Sequence, residues 1–240
     1  MSFVNAYEDE TRAQAYATLE FPGSYYLAFR DLPALLAEHV QGRAALDFGC
    51  GAGRSTRFLR NLGFDPTGID VAPAMLDLAR AADPAGHYVL VDDADYRPLD
   101  RERFDLVFSA FAFDNIPGAK HRAAILRALR RLLQPDGRIV LLDCTPELYV
   151  NETASFTTRD FPENHTAKSG DEVRAVMKDV ADRRPVTDIL WLHEDYLALF
   201  AASGLDLVAH HAPLGRDDEP YDWITETTIP PWAIYILKPA

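Results

Sequence analysis

The densest run of chemically suggestive residues is Asp47-Phe48-Gly49-Cys50-Gly51-Ala52-Gly53. It closes the apolar run Ala44–Phe48 and precedes RSTRFLRNLG, whose Phe58, Leu59 and Leu62 share one helical face. Glycines in a strand-to-helix turn permit positive φ and let a ligand approach the backbone closely. Two phosphate-binding forms of such a turn fail on spacing. A dinucleotide fingerprint starting at Gly49 needs glycine or alanine at position 54, where Arg54 stands, and G-x-x-x-x-G-K-[ST] is absent. Asp70, 21 residues beyond Gly49, ends a second strand-like run. A carboxylate there can accept hydrogen bonds from both ribose hydroxyls. Capping of a helix that begins at Pro73 is the structural alternative, and it is compatible with ribose binding.

The pattern D-x-G-x-G-x-G resembles the first motif of the class I S-adenosylmethionine-dependent methyltransferases of small-molecule type. The resemblance implies that Asp47, Gly49, Cys50, Gly51 and Gly53 wrap the methionine and ribose portions of the cofactor, with Asp70 and Val71 at the ribose. Val91-Asp92-Asp93-Ala94-Asp95 resembles the family's loop after the third strand. There Asp93 takes the adenine amino group and Ala94 meets a ring nitrogen, with Asp92 a close competitor. Phe104–Phe111 resembles the fourth-strand motif and places Ser109, Ala110 and Phe111 beside the sulfonium, while Leu133–Asp143 resembles the fifth strand and the turn before it. The likeness covers residues 44–143 closely and 192–238 in topology.

The same resemblance implies a reaction, methyl transfer from S-adenosylmethionine to an oxygen or nitrogen of a small organic molecule, leaving S-adenosylhomocysteine. Asp114, in Phe113-Asp114-Asn115-Ile116-Pro117, then faces the acceptor as an orienting or proton-accepting group, and a helix cap is its structural alternative. The N-P-P-[FYW] pattern of nucleobase methyltransferases is missing there. An N-terminal helix of this family often folds over the cofactor, so that Arg30 can pair with the methionine carboxylate and Tyr25 can meet the sulfonium. A cofactor-binding protein without transfer, or a cyclisation on the same fold, would carry the same cofactor motifs.

The elements that must position these residues alternate. Short apolar strands are followed by amphipathic helices such as PAMLDLARAA and HRAAILRALRRLL, the signature of parallel βαβ units. The expected fold is α/β: a Rossmann-like, seven-stranded, mostly parallel sheet with helices on both faces. LDLVAHHA and PPWAIYILK form an antiparallel C-terminal hairpin, and Pro135-Asp136-Gly137 forms a turn before RIVLLD. As a single domain, the chain divides into an N-terminal helical cap (1–42), a cofactor-binding core (43–143), a lid insertion (144–191), and a last helix with the hairpin (192–240). The insertion breaks the alternation. Its aromatic residues among many charges read as too polar for a core, so it is expected to fold as a lid.

Composition sets the remaining bounds. A 240-residue chain with 48% hydrophobic residues can bury one sizeable core. A net charge of -13 opposes nucleic-acid phosphates; it reads first as solubility, with a bias toward neutral or cationic small substrates as the lesser reading. Cys50 and Cys144 are too few for a disulfide framework, and there is neither a leader-like segment nor a membrane-spanning apolar run. The expectation is a soluble cytoplasmic protein with a small-molecule acceptor and no nucleic-acid or membrane partner. The seven histidines lack metal-ligand spacing, so no metal is expected. His210 and His211 would point to opposite faces of a strand. His165, beside Glu163 and Asn164 in the insertion, is the fallback base, a solvated loop histidine being its plainer reading.

Overall fold

Three short helices lead the chain into its sheet: α1 (Glu10–Ala17), α2 (Ser24–Arg30) and α3 (Leu32–His39). Asp9 caps α1 by accepting from the Arg12 amide at 2.9 Å, and Pro33 lies in the first turn of α3, where its missing N–H has no partner to lose. The computed structural model of the protein describes residues 9–92, 95–99 and 103–240. Strand and helix then alternate as β1 (Ala44–Phe48), α4 (Arg54–Asn61), β2 (Asp65–Asp70), α5 (Pro73–Ala82), β3 (His87–Leu90), β4 (Phe104–Ala110), α6 (Ala119–Arg131) and β5 (Leu133–Cys144).

The insertion carries three short strands, β6 (Phe156–Thr157), β7 (Glu172–Met177) and β8 (Val186–Ile189). They are followed by α7 (His193–Ala202), β9 (Leu205–His211) and β10 (Trp232–Pro239). The main sheet has the order β3-β2-β1-β4-β5-β10-β9. Its first five strands are parallel, and β10 runs antiparallel to both β5 and β9. From β1 the chain passes outward to β2 on one side, and β4 lies on the other. The carboxyl ends of β1 and β4 therefore flank a topological switch point, where an open α/β sheet forms its crevice.

Each strand alternates its side chains between two cores. One face, with Leu46, Val107, Leu141 and Tyr235, packs against α6 and α7; the other, with Ala45, Leu106, Phe108 and Leu142, packs against α2, α3 and α4. Two expectations need correction. The Pro135-Asp136-Gly137 turn does not precede a strand but lies inside β5. Leu133 pairs with Phe104 and Arg138 with Leu106, so the residues between them bulge out of the ladder without ending it. The insertion is also less polar than its composition suggests. Its strands form an antiparallel sheet of order β6-β7-β8, and Tyr149, Phe156, Val173, Ala175 and Met177 are buried in the same core as Tyr25 and Trp232. The period-two alternation of Glu172–Met177 hides those apolar residues among charges, which is why the segment reads as a polar lid.

Helix α1 lies across the glycine loop. Ala13 packs with Ala52, Ala72 and Met75, while Arg184 bonds Asp9 and Arg12 bonds Asp182 and the Pro185 carbonyl, tying α1 to the turn between β7 and β8. Among the described residues no helix is long and apolar enough to cross a membrane.

Candidate active site

Gly49, Gly51 and Gly53 all adopt positive φ, at 68°, 52° and 78°. A Cβ on Gly49 would collide with the Ala112 side chain, and one on Gly53 would come 2.6 Å from the Tyr88 hydroxyl, so both conformation and space require glycine. Beneath the loop, Asp47 is fully buried. It accepts from Ser55 Oγ at 2.7 Å and Thr56 Oγ1 at 2.5 Å, pinning the first turn of α4. Burial pushes its carboxyl up to about 6 against those two bonds, and its Oδ1 has no partner among the described residues.

Asp70, at the tip of β2, accepts from the Gly51 amide and the Ala72 amide, each at 2.8 Å. It thus braces the loop and the start of α5 together, one bond to each oxygen, which leaves lone pairs for a ligand. Burial raises its carboxyl, opposed by these backbone bonds. Val71 and Leu90 are large apolar side chains left exposed at the ends of β2 and β3, and the register places Asp70 opposite Leu90. Leu90 was not singled out from the sequence. Cys50 is buried behind the loop, and Asp93 and Ala94 lie outside the described residues.

The N-terminal expectations divide. Arg30 does not reach the loop. Its guanidinium is held by Asp31 at 2.8 Å, by Glu219 at 2.7 Å and by the Leu214 carbonyl, because α2 ends at Arg30 and carries it toward β9. Arg54 is the cation at the loop. It lies over the rings of Tyr16, Phe21, Tyr25, Phe29 and Phe111, and donates to the Leu19 and Glu20 carbonyls and the Tyr16 hydroxyl. The residue that excluded a dinucleotide fingerprint is therefore a clamp on the N-terminal segment. Tyr25 is almost wholly buried, its ring packed on Phe111, Phe156 and Trp232 and facing Arg54 rather than open space. Ser109 is buried with no partner for its Oγ among the described residues, and Ala110 follows it at the strand end. Phe111 turns the chain with φ 60°, a conformation costly for a side chain of this size.

Asp114 sits in the single turn Phe113–Asn115, above the end of β4 and packed on β8. It makes no helix cap. Its Oδ2 accepts from the Cys144 amide at 3.1 Å. Around it lie two more carboxylates that the sequence did not single out, one buried and one partly buried. Asp143, fully buried, accepts from the Tyr196 hydroxyl at 3.1 Å, and Asp188 accepts from the Tyr149 hydroxyl at 3.0 Å. Burial raises all three carboxyls. The charge of Asp143 and then of Asp188 pushes Asp114 further, whereas Arg122 pulls Asp143 back, and Tyr149 and Arg12 pull Asp188 back. Arg122 is fully buried at 4.4 Å over the Trp191 ring and donates to the Ile116 and Ile189 carbonyls and to Tyr196. Tyr16 links the halves of the crevice, with Arg54 on one side and Cys144 and Asp188 within electrostatic reach on the other. His165 is exposed on the insertion.

A glycine loop after β1, a carboxylate at the tip of β2 and the β3-β2-β1-β4-β5-β10-β9 order define an α/β protein that binds a nucleoside-type cofactor. Residues 46–141 match the family described as "Methyltransferase domain". N-demethylindolmycin N-methyltransferase from Streptomyces griseus is 26% identical over 219 residues, covering 89% of this chain and 91% of that protein. Malonyl-[acyl-carrier protein] O-methyltransferase from Serratia marcescens is 36% identical, but over only 41% of this chain and 37% of its own length. The glycopeptide N-methyltransferase MtfA, solved with S-adenosylmethionine bound, superposes with a TM-score of 0.60 at 16% identity over 88% of this chain and 93% of its own, a likeness of fold. The domain match, the relative similar over most of its length and the shared fold together support a class I S-adenosylmethionine-dependent methyltransferase.

Proposed function

We propose that the enzyme methylates an oxygen or nitrogen of a small organic acceptor bound at the carboxyl end of the sheet, against Asp114 and beneath α1 and the insertion. The observation that carries this reading is the placement of two sets of groups along one sheet edge. The glycine loop and Asp70 stand at the ends of β1 and β2, Asp114 and Asp143 follow at the ends of β4 and β5, and Asp188 is brought toward them on β8 of the small sheet. One of the similar proteins is named for methylation at nitrogen and another for methylation at oxygen, which supports either atom here.

The loop fits S-adenosylmethionine. Its positive-φ glycines leave main chain uncovered, Asp70 has acceptor capacity for ribose hydroxyls, and Val71 and Leu90 offer apolar surface beside them. Asp93 and Ala94 are assigned to the adenine on the motif alone. The bound cofactor supplies an electrophilic methyl on a positive sulfur. The protein's part is to orient the acceptor atom in line with it and to keep water out. Asp114 faces the acceptor in this reading. Because burial holds its proton, it orients the acceptor as a hydrogen-bond donor until a positive charge nearby releases that proton. The domain organisation follows from the same reading: 43–143 binds cofactor, and 144–191 covers the acceptor.

Incubation with methyl-labelled S-adenosylmethionine and the small-molecule fraction of a cell lysate tests the proposal. Label should appear in small molecules and not in co-incubated nucleic acid. Tight cofactor binding with no label in any fraction would leave a binding protein instead.

A further inference from the structure

We propose that the acceptor is an amine that enters as an ammonium ion and is held by the carboxylates of Asp188 and Asp114, with Asp188 on β8 as the group that selects it. This rests on the methyl-transfer reading above and names its substrate class.

The carboxyls gathered beyond the end of β4 outnumber the cations that reach them. Asp114 and Asp143 are at most 5% exposed, and both lie within electrostatic reach of Asp188. The buried cation beside them, Arg122, directs its donors to the Ile116 and Ile189 carbonyls and the Tyr196 hydroxyl, so it acts on Asp143 through its charge and through Tyr196, which itself bonds Asp143. Arg12, the other cation near Asp188, is bonded to Asp182 and the Pro185 carbonyl. Arg122 eases Asp143 and Arg12 eases Asp188, whereas burial and those two carboxyls dominate at Asp114, where an ionised group is costly without an added positive charge.

A second observation points the same way. Asp143 is wholly buried, and its Oδ1 has no hydrogen-bond partner among the described residues, although it stands next in line to Asp114 as the strongest charge acting on that group. Buried polar atoms are normally satisfied, and an ion-pair network that served the fold alone would close on itself. Among the described residues, no group of three or more His, Cys, Asp or Glu side chains is arranged to hold a metal ion. An ammonium group brings both the missing charge and several N–H donors, whereas a hydroxyl acceptor brings no charge. Tyr149, whose hydroxyl bonds Asp188, adds aromatic surface there, which favours a cation further.

The step balances without another reactant. One N–H bond of the ammonium breaks, its proton passes to the Asp188 carboxylate, and the electron pair stays on nitrogen. That pair forms the new N–C bond while the methyl carbon's bond to sulfur breaks, its electrons remaining on sulfur. The product is an N-methylammonium ion with S-adenosylhomocysteine. Asp188 lies on the insertion while the cofactor loop lies on the core, so acceptor choice and cofactor binding reside in different parts of the chain.

The test uses the full chain, methyl-labelled S-adenosylmethionine and the small-molecule fraction of a cell lysate, with labelled products separated by ion exchange into cationic, neutral and anionic pools. The expected result is label in the cationic pool, cut at least tenfold by Asp188→Asn and partly restored in Asp188→Glu. Calorimetry with S-adenosylhomocysteine should give affinities within about twofold for all three proteins, which separates acceptor binding from misfolding. Label confined to neutral or anionic products overturns the amine assignment and leaves methyl transfer standing. Cationic label indifferent to Asp188→Asn overturns the role of Asp188. The absence of label from every pool, with the homologous cofactor bound, overturns the transfer reading itself.

Discussion

Asp70 braces Gly51 and Ala72, and its remaining lone pairs are those proposed for a ribose. Charge-assisted hydrogen bonds are worth roughly 1.5–3 kcal/mol, so Asp70→Ala should weaken S-adenosylhomocysteine binding about ten- to a hundredfold. Calorimetry reads this directly, and an unchanged affinity would remove Asp70 from the ribose. Asp114→Asn is its counterpart at the acceptor end. Asparagine keeps an oxygen for the Cys144 amide, so cofactor affinity and melting temperature should hold while turnover falls about ten- to a hundredfold. Full turnover in that variant would place acceptor activation elsewhere. The loop and Asp70 were legible because their spacing is local. Arg54, Arg122, Asp143 and Asp188 were not, since their partners come from remote segments: Arg122 bonds Ile189 and Tyr196, and Arg54 bonds Tyr16. Arg30 misled for the converse reason, its neighbour Asp31 and distant Glu219 taking the donors that the family pattern assigns to the cofactor.

The elements repeat that division. Helices α5 and α6 and the closing antiparallel strands follow from apolar periodicity and sit where it places them. The insertion's fold did not follow, because its short strands bury one face only after α2 and β10 supply the other side of the core. Closure across the crevice should belong to α1, whose clips to the insertion are the Asp9–Arg184 and Arg12–Asp182 pairs. The Asp9–Arg184 pair is exposed, and such pairs contribute at most about 1 kcal/mol. Arg184→Gln should therefore shift the melting temperature by no more than about 4 °C while hastening cofactor release, and moderate salt should have the same effect on the unaltered enzyme. Stopped-flow release rates check both. Hydrogen exchange over residues 10–17 and 145–190 should slow with cofactor and acceptor bound; equal exchange in both states would deny these segments a covering role.

At the scale of the whole molecule, buried carboxylates set the pH response. An ordinary aspartate titrates near 3.8, while burial lifts Asp47 to about 6 and raises Asp114, Asp143 and Asp188 as well. Between these values the folded protein keeps protons that the unfolded chain has released. The stability from these groups is therefore complete below about pH 4 and declines as pH rises through the raised values, by about 1.4 kcal/mol per unit for each group. Asp31 and Asp182, lowered to about 2 by Arg30 and Arg184, act oppositely, their contribution present above 3.8 and lost on acidification toward 2. Melting of the cofactor-free protein should peak near the crossing of these windows, at about pH 4. Asp143→Asn should flatten the decline on the neutral side, and an unchanged slope would show that Asp143 keeps its charge when folded.

The place of β10 has a consequence for how the molecule comes into being. Residues 232–239 leave the ribosome after every other strand of the sheet, yet they belong between β5 and β9. Until they arrive, the outer rim of β5 presents unpaired amides and carbonyls, an adhesive border for other nascent chains. Assembly must therefore wait for its penultimate plank, and a ribosome stalled upstream of Trp232 would hold a half-built sheet in need of a chaperone.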